Sequence, residues 1–597
     1  MYQSFDVTAR PEQGPPRLAA LRNELDSAAL DGFLVPRADA HQGEYVAARD
    51  ERLSWLTGFT GSAGFCAVLQ DCAGIFIDGR YRTQVKQQVD TEAYTPVPWP
   101  EVKLHDWLIE QMPNGGRVGF DPWLHATGQI SALRNKLEGT GIQLEPCDNL
   151  VDRIWEDQPP APMNPVIAHP EDYAGESAAE KCARLAKDME GAGQAAALIT
   201  LPDSLMWLLN IRGSDIPRNP VAHGFAILHS DARVDLFMAE EKLAGLEGHL
   251  GAAVTVNPSE AFLGQVAALN GHVAVDQDTL PQIVAEALGD RLVPAGDPCA
   301  LPKACKNPAE IEGSAAAHLR DGAAVVELLA WLDAQPPGTI TEIDVVKKLE
   351  ELRRRDERLR DISFDTIAGT GANGAVIHYR VTTETDTPLN AGDLLVLDSG
   401  GQYLDGTTDI TRTIAIGTPG EDERAAFTRV LQGMIAISRL RWPKGLSGRD
   451  IEAIGRMPLW LAGQDFNHGL GHGVGAYLSV HEGPQRLSRA SAVPLQAGMI
   501  LSNEPGYYRE GAFGIRIENL IVVQDAPSLP GGDAEREMLN WRTLTYAPID
   551  RRLIDADMLS REERDWLNAY HAEVVQKIRP HVSPAAQAWL DDATAAI

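Results

Sequence analysis

The apolar positions in the first half of this chain form short runs that alternate with helical patterns. Short apolar runs bounded by glycine or proline are typical of buried strands, and apolar spacing of three or four residues predicts helices. Helices are predicted at residues 17–30 and 178–189, and strands at residues 32–36, 64–69, 74–78, 196–202, 224–228 and 233–238. Strands that alternate with helices predict a layered α/β fold.

The same half contains a weak internal repeat. Residues 53–62 (LSWLTGFTGS) resemble residues 205–214 (LMWLLNIRGS), and each follows one predicted strand and precedes two others. The pattern predicts a duplicated α/β module, with chance similarity over ten residues as the alternative.

The second half begins with helices and then mixes helices with strands. Thr341 is placed to cap the second of these helices, because its hydroxyl can accept from the first-turn amides. The predicted helices are 309–334, 341–354, 421–439, 447–461 and 560–578, and the predicted strands lie within 363–416 and near residues 499 and 514.

Two proline-rich stretches punctuate the chain. Residues 157–170 contain five prolines and residues 294–308 contain four. Proline removes a backbone donor and interrupts regular structure, so such clusters are typical of domain boundaries. We therefore expect three domains, at residues 1–157, 158–305 and 306–597.

Composition excludes several classes of protein. The 597 residues carry a formal charge of −31, which argues against a nucleic-acid partner because phosphate recognition needs basic surface. Six scattered cysteines without a CxxC pair favour a reducing compartment over a disulfide scaffold. We see no signal-peptide pattern and no apolar run of about 18 residues, so we expect a cytoplasmic protein without a membrane partner.

Two aspartates define the first candidate site. Asp398 ends the apolar run 394–397, and Asp409 lies on the strand predicted after the turn signal Asp405-Gly406. A hairpin here brings the two carboxylates close, and they then need a proton or cations between them. The alternative is a surface hairpin with solvated acids.

A glycine-rich loop supplies histidines. His468 and His472 lie four residues apart in HGLGHGVG, where the glycines allow close approach to a ligand, and His481 follows nine residues later. The alternative interpretation is a simple tight turn.

Two glutamates complete the candidate set. Glu504 ends a predicted strand before Pro505-Gly506, and Glu518 shares a strand face with Arg516 if the strand period of two continues. An Arg516–Glu518 surface pair is the alternative.

Taken together, Asp398, Asp409, Glu504 and Glu518 carry a charge of −4, which two divalent cations neutralise. Oxygen ligands with one imidazole, that of His472, suit Mn²⁺ and related ions better than a thiolate-rich zinc site does. Two such ions can activate a water between them.

These motifs resemble the aminopeptidase P (Xaa-Pro aminopeptidase) family of metallopeptidases. The five ligand positions are spaced by 11, 63, 32 and 14 residues, as in that family. The matching motifs are IHY at 377–379, LDSG at 397–400, GTTDITR at 406–412, HGLGHGVG at 468–475, EPGYY at 504–508 and GIRIEN at 514–519. FTGSAG at 59–64, DGRY at 78–81 and DWLN at 565–568 fit the three-domain cytosolic form, although Leu470 stands where a small polar residue is expected.

The resemblance implies two creatinase-type N-terminal α/β domains followed by a pita-bread catalytic domain, in an α/β (α+β) fold. It implies a homodimer that cleaves the N-terminal residue from peptides with proline second, with two Mn²⁺ per subunit, although other divalent ions are possible. The implied metal ligands are Asp398, Asp409, His472, Glu504 and Glu518.

The resemblance also implies roles in the reaction. A bridging hydroxide attacks the carbonyl before proline, and Glu504 passes the proton to the leaving nitrogen. His378 and His481 hydrogen-bond the oxyanion and position the peptide, while the implied substrate-binding residues are Arg80, His378, His468, His472, His481 and Arg516. Two alternatives stay open at this point: a prolidase that cleaves only Xaa-Pro dipeptides, and a pita-bread module that binds without catalysis.

Overall fold

The computed structural model describes residues 1–533 and 535–597, which form two compact units. We call residues 8–171 and 176–300 the N-terminal unit, and residues 1–7, 172–175 and 301–597 the C-terminal unit.

The N-terminal unit contains two six-stranded sheets. The first has the order β4-β3-β2-β1-β5-β6, and the second has the order β12-β11-β10-β8-β13-β14. The strands are β1 (Gly32–Pro36), β2 (Phe65–Leu69), β3 (Ala73–Ile77), β4 (Thr95–Pro98), β5 (Gly116–Phe120), β6 (Ile142–Pro146), β7 (Ile167–Ala168), β8 (Ala196–Ile199), β9 (Ile211–Arg212), β10 (Phe225–His229), β11 (Val234–Phe237), β12 (Val254–Asn257), β13 (Val273–Val275) and β14 (Leu292–Pro294).

The two sheets repeat one topology. In each, the first three strands in chain order pair antiparallel, the fourth joins the third in parallel, and the fifth joins the first in parallel. Equal order and equal strand directions confirm the duplicated α/β module predicted from the short internal repeat.

Helices cover these sheets because their apolar stripes need a partner surface. Leu18, Leu21 and Leu25 of the first helix, for example, pack on the first sheet. The helices are α1 (Gly14–Ala28), α2 (Arg52–Thr57), α3 (Val85–Gln88), α4 (Leu104–Gln111), α5 (Thr127–Leu137), α6 (Leu150–Ile154), α7 (Glu171–Ala174), α8 (Ala178–Gly191), α9 (Pro202–Leu208), α10 (Glu247–Leu250), α11 (Phe262–Ala268), α12 (Gln282–Leu288) and α13 (Ala300–Ala304), and the residues of α7 and α13 are divided between the units.

The C-terminal unit contains the five helices predicted from sequence, within two residues at each end. The Thr341 hydroxyl accepts from Asp344 N, so Thr341 caps its helix as predicted. The helices are α14 (Pro308–Asp333), α15 (Glu342–Arg353), α16 (Glu421–Ser438), α17 (Gly448–Trp460), α18 (Arg561–Ile578) and α19 (Pro584–Ala593).

The strands of this unit form four sheets. Their orders are β15-β18-β19, β16-β17-β20, β21-β28-β27-β24-β22-β23 and β25-β26. The strands are β15 (Leu359–Ile362), β16 (Ile367–Thr370), β17 (Leu394–Ser399), β18 (Gly401–Tyr403), β19 (Gly406–Thr407), β20 (Ile410–Ala415), β21 (Trp442–Pro443), β22 (Gly471–Gly473), β23 (Glu482–Leu487), β24 (Ile500–Asn503), β25 (Gly506–Arg509), β26 (Phe513–Arg516), β27 (Asn519–Asp525) and β28 (Met538–Thr543).

Two helix–sheet cores build the unit. Helices α14 and α15 bury apolar side chains against β16, β17 and β20. Helices α16, α17, α18 and α19 contribute to a second core with β24, β27 and β28. The fold is therefore mixed α/β in both units, as the alternating pattern predicted.

The predicted hairpin is present, but Asp409 is not inside a strand. Strand β18 pairs with β19 through Tyr403↔Gly406, and β17 pairs with β20 through Asp398↔Thr411. The chain passes from one sheet to the other at Thr408 and Asp409, so the ladder breaks there. The strand predicted across residues 407–416 was wrong at this point, and the break is what releases Asp409 from ladder pairing.

The expected strand face of Arg516 and Glu518 was also wrong. Strand β26 ends at Arg516 and β27 begins at Asn519, so Glu518 lies between two strands of different sheets. Its backbone N–H donates instead to Thr411 O at 3.1 Å.

All six cysteines are free thiols in the structure. Among the residues described, we find no helix that is both long and apolar enough to cross a bilayer.

Candidate metal centre

The five predicted ligands come from strands and strand ends of the C-terminal unit. Asp398 is in β17, and Asp409 directly precedes β20. His472 is the central residue of β22. Glu504 directly follows β24, and Glu518 directly precedes β27. Two sheets, β16-β17-β20 and β21-β28-β27-β24-β22-β23, thus deliver five polar side chains to one place.

His472 has the geometry of a metal ligand. Its Nε2 lies 3.5 Å from Asp409 Oδ2 and 3.4 Å from Glu504 Oε1. Its Nδ1 lies 2.9 Å from Gly473 O, and a carbonyl oxygen only accepts, so Nδ1 carries the proton. The lone pair of Nε2 therefore points among carboxylates, as in histidine–metal sites with an oriented ring.

Oxygens without partners surround this imidazole. Asp398 Oδ1, Asp409 Oδ1 and Glu518 Oε1 are buried and accept no hydrogen bond from any residue that the structure describes. Ligand atoms of Asp409, His472 and Glu518 lie within 4.8 Å of one another. Buried polar oxygens are normally satisfied, so this group fits the binding of cations.

The same crowding changes proton affinity. Burial, followed by repulsion from Asp398 and Glu504, raises the pKa of Asp409 well above its usual range. Burial and repulsion from Asp409 raise the pKa of Glu518 well above its usual range as well. Burial also raises the pKa of Glu504, although His472 and Arg516 oppose it. Without cations, burial and mutual repulsion therefore favour the protonated forms of these carboxyls.

Arg516 and Tyr508 form a directed hydrogen-bond chain beside the ligands. The buried Arg516 guanidinium donates to Asp398 Oδ2 through Nη2 at 2.7 Å and Nε at 3.1 Å. Its Nη1 donates to the Tyr508 hydroxyl at 2.6 Å, which in turn donates to His468 Nε2 at 2.9 Å. Arginine only donates, and His468 Nδ1 lies 2.7 Å from Gly469 O, which only accepts, so the neutral imidazole carries its proton on Nδ1 and accepts from Tyr508 through Nε2. Burial raises the pKa of Tyr508 to about 12.

Hydroxyl groups two residues from the ligands support the glutamates. Ser502 Oγ donates to Glu504 Oε1 at 3.0 Å and accepts from His472 N at 2.9 Å. Thr411 Oγ1 donates to Glu518 Oε2 at 2.9 Å. Each bond orients one carboxylate and leaves the other oxygen for a cation.

A buried ion pair holds both aspartate segments from behind. Arg353 donates to Asp321 through two bonds of 2.6 and 3.0 Å, and to Ser399 Oγ at 3.0 Å. Asp321 Oδ2 also accepts from Thr408 Oγ1 at 2.8 Å. Ser399 and Thr408 are the neighbours of Asp398 and Asp409, so one ion pair fixes the spacing of two ligands.

The remaining predicted site residues are placed as follows. The rings of His481 and His472 meet edge to face with centroids 4.3 Å apart. His378 is half-buried, and the carbonyl of its neighbour Ile377 accepts from Arg516 Nη2 at 3.4 Å. Arg80 belongs to the N-terminal unit, where its guanidinium forms a two-bond ion pair with Asp78.

Leu470 turns its side chain away from the polar centre. It is fully buried in the core that contains α16 and α17. Its carbonyl accepts from Glu504 N at 2.9 Å, so the residue contributes to the site through its backbone.

Sequence reasoning missed several supporting residues. Ser502 and Thr411 could have been predicted from the sequence. Each lies two positions from a predicted ligand, and side chains two positions apart share one face of a strand. Asp321 was visible as a charge inside the apolar pattern of α14. Tyr508 is part of the EPGYY motif, but its hydrogen bonds with Arg516 and His468 could not be predicted, because they depend on how β25 pairs with β26.

Comparisons with known proteins agree with the geometry. The model of metallopeptidase family M24 matches residues 312–525, and the model of the C-terminal region of this family matches residues 537–597. Two models of the creatinase/prolidase N-terminal domain match residues 17–154 and 157–310.

Relatives are similar over nearly the whole chain. A protein of Talaromyces marneffei named "Probable Xaa-Pro aminopeptidase P" is 40% identical, with 94% of this chain and 89% of that protein covered. Aminopeptidase P1 of Arabidopsis thaliana is 37% identical, with 97% and 98% covered. The X-prolyl aminopeptidase of Caenorhabditis elegans, described as a cytosolic enzyme with a di-nuclear active site, is 32% identical with a TM-score of 0.94, covering 98% and 100%.

Cation binding is expected to stabilise the protein in a pH-dependent way. Since the pKa values of Asp409 and Glu518 are raised on folding, their contribution to metal-free stability is full below about pH 4 and is lost as the pH rises through the raised values. Added Mn²⁺ should therefore raise the melting temperature more at pH 8 than at pH 5.

Thermal melts of chelated protein across this pH range, with and without Mn²⁺, measure the effect. An Asp409→Asn control removes one charge, so its metal-free melting temperature should fall less with pH than that of the parent. Equal pH dependence in the parent and the control would contradict this electrostatic account.

Proposed function

We propose that this chain, which belongs to the aminopeptidase P family of M24 metallopeptidases, removes the N-terminal residue from peptides whose second residue is proline. One observation carries the proposal. Buried, unpartnered carboxylate oxygens and the Nε2 lone pair of His472 converge at the motif positions that define the family.

Asp398, Asp409, His472, Glu504 and Glu518 would hold two divalent cations, which we propose to be Mn²⁺ on the basis of the oxygen-rich ligand set. When bound, such cations lower the pKa of a water nucleophile and polarise the scissile carbonyl.

The protein's own residues then handle the protons. We assign Glu504 to take the proton of the attacking water and deliver it to the leaving proline nitrogen. The Ser502 bond holds this carboxylate in place. We assign His378 and His481 to donate hydrogen bonds to the carbonyl oxygen as negative charge develops there.

Selection of the substrate follows from the same residues. His468, Tyr508 and Arg516 present a rigid surface, because each is tied to the next by a hydrogen bond. Proline has a fixed φ and no N–H, so a rigid surface can distinguish its ring from a linear residue. We propose that the free α-amine of the substrate is recognised at the cation site, and that Arg80 contributes to binding of the peptide.

The alternatives are less well supported. A dipeptide-only prolidase does not account for similarity to aminopeptidase P relatives over 94% or more of this chain. A module that binds without catalysis does not need five ligands, and all five are present and converge. We further propose a cytoplasmic homodimer with domains at residues 1–157, 158–305 and 306–597.

The function is tested by peptide hydrolysis. Arg-Pro-Pro should lose its first residue, while N-acetyl-Arg-Pro-Pro and Arg-Ala-Pro should be poor substrates, because one lacks the charged amine and the other lacks the ring that places the carbonyl. Arg-Pro serves as the dipeptide control. Rapid cleavage of the acetylated peptide, or equal cleavage of the alanine peptide, would refute the Xaa-Pro assignment.

Activity is expected to depend on metal. Exhaustive chelation should abolish hydrolysis of Arg-Pro-Pro, and Mn²⁺ should restore more activity than Mg²⁺, Ca²⁺ or Zn²⁺ at equal free concentration. Metal analysis of the reconstituted protein should give two ions per chain. Undiminished hydrolysis by protein that analysis shows to be metal-free would contradict the cation requirement.

Glu504→Gln is expected to remove most turnover while the protein stays folded. The amide can neither accept the proton nor bind a cation strongly, so kcat should fall on the order of 10³-fold. Glu510→Gln, in the exposed turn between β25 and β26, is the matched control. A folded Glu504→Gln variant with near-normal kcat would overturn the role given to this carboxylate.

A further inference from the structure

The segment that carries His378 is held by a buried glutamate outside the metal centre. Glu342, in the first turn of α15, is fully buried. Its carboxylate accepts from Thr370 N at 2.7 Å, from Asn373 Nδ2 at 3.0 Å and from the Tyr379 hydroxyl at 2.8 Å. A single side chain thus binds both ends of residues 370–379.

His378 lies inside a turn between two fixed neighbours. Tyr379 N donates to Val376 O at 3.1 Å and closes the turn around Ile377 and His378. On one side Ile377 O accepts from Arg516, and on the other the Tyr379 side chain reaches Glu342. The position of His378 relative to the site arginine therefore depends on both contacts.

Backbone packing leaves this segment little room. A Cβ added to Gly514 of β26 would lie 1.7 Å from Gly374 O, so the segment lies directly against the strand that ends at Arg516. The backbone of β26 therefore limits movement of residues 371–379 toward that strand. The hydrogen bonds to Glu342 limit movement away from α15.

We propose that Glu342 is a positioning residue for catalysis, acting through Tyr379 to hold His378 at the place where the substrate carbonyl binds. This inference rests on the proposed function, because it takes His378 as a donor to that carbonyl. The hydrogen bonds described for the Glu342 carboxylate go to Thr370, Asn373 and Tyr379, and none goes to a predicted metal ligand.

We call the hydrogen bonds from Thr370, Asn373 and Tyr379 to Glu342 the clamp. The clamp can form whether the Glu342 carboxyl is ionised or protonated. Burial raises the pKa of Glu342 to about 7 against the opposing hydrogen bonds. When protonated, the carboxyl can donate to the Tyr379 oxygen, and the Tyr379 hydroxyl can donate to Thr385 O at 3.1 Å. Glutamine reproduces this arrangement, so Glu342→Gln should keep the clamp and Glu342→Ala should remove it.

A double-mutant cycle with His378 tests the inference. We expect Glu342→Ala to lower kcat/KM for Arg-Pro-Pro by roughly 10- to 100-fold, the effect of a misplaced catalytic group, mainly through kcat and with metal content unchanged. Glu342→Gln should restore most of this loss. In a His378→Ala background, Glu342→Ala should cause little further loss of kcat, although it should lower the melting temperature equally in both backgrounds.

Controls separate positioning from simple stability. If Glu342→Ala does not fold, Tyr379→Phe replaces it in the double-mutant cycle, because it removes the hydroxyl without leaving a cavity. Its loss of kcat should likewise be large when His378 is present and small in the His378→Ala background. Glu573→Ala removes another glutamate that accepts from a tyrosine, Tyr546, and should leave kcat unchanged. Equal fold-losses with and without His378, or a lowered melting temperature with unchanged kcat, would overturn the inference.

A second readout does not depend on turnover. If the unaltered protein cleaves no Xaa-Pro peptide, the proposed function fails, and the ¹⁵N resonances of the His378 imidazole then decide the positioning inference. Glu342→Ala should shift them and Glu342→Gln should not. Unchanged resonances in Glu342→Ala would refute positioning whatever the activity.

Discussion

The C-terminal unit is organised around the repulsion among three buried carboxylates and the half-buried Glu504. Asp398, Asp409, Glu504 and Glu518 approach one another where water cannot screen them, and the raised pKa values of three of them record the cost. Only protons or cations relieve this repulsion. The free energy of packing elsewhere in the unit therefore has to offset the repulsion among these acids. The contacts that support the acids contribute to this balance.

Packing supplies this force through elements that end at the site. Strand β17 and its partner β20 are buried under α14 and α15, and β24 and β27 are buried under α16 and α17. Asp409, Glu504 and Glu518 lie where ladders stop, whereas Asp398 and His472 lie inside β17 and β22. The Arg353–Asp321 pair then fixes the hairpin from behind, and losing one member of such a buried pair leaves an uncompensated charge.

The sequence predicted the fold class, the duplicated N-terminal module and helices α14 to α18 of the C-terminal unit, because apolar periodicity and proline positions are local signals, but it did not predict α19. It also predicted a set of five metal ligands, through spacing that only a family resemblance could connect. The breaks in strand structure at Asp409 and Glu518 were not predictable, since they arise where the chain changes sheets. The role of Glu342 was not predictable for a related reason. Its partners lie 28 to 37 residues away, and no pattern within α15 indicates them.

The direction of one hydrogen-bond chain limits what His468 can do. Arg516 donates to Tyr508, Tyr508 donates to His468 Nε2, and His468 Nδ1 faces Gly469 O at 2.7 Å. Both ring nitrogens are therefore engaged, with Nε2 as an acceptor, and neither is available to donate to a substrate carbonyl. Under the proposed function, His468 would contribute shape to the proline surface, and the donors to the oxyanion would be His378 and His481. The proposed hold of Glu342 on the segment around His378 is consistent with that assignment.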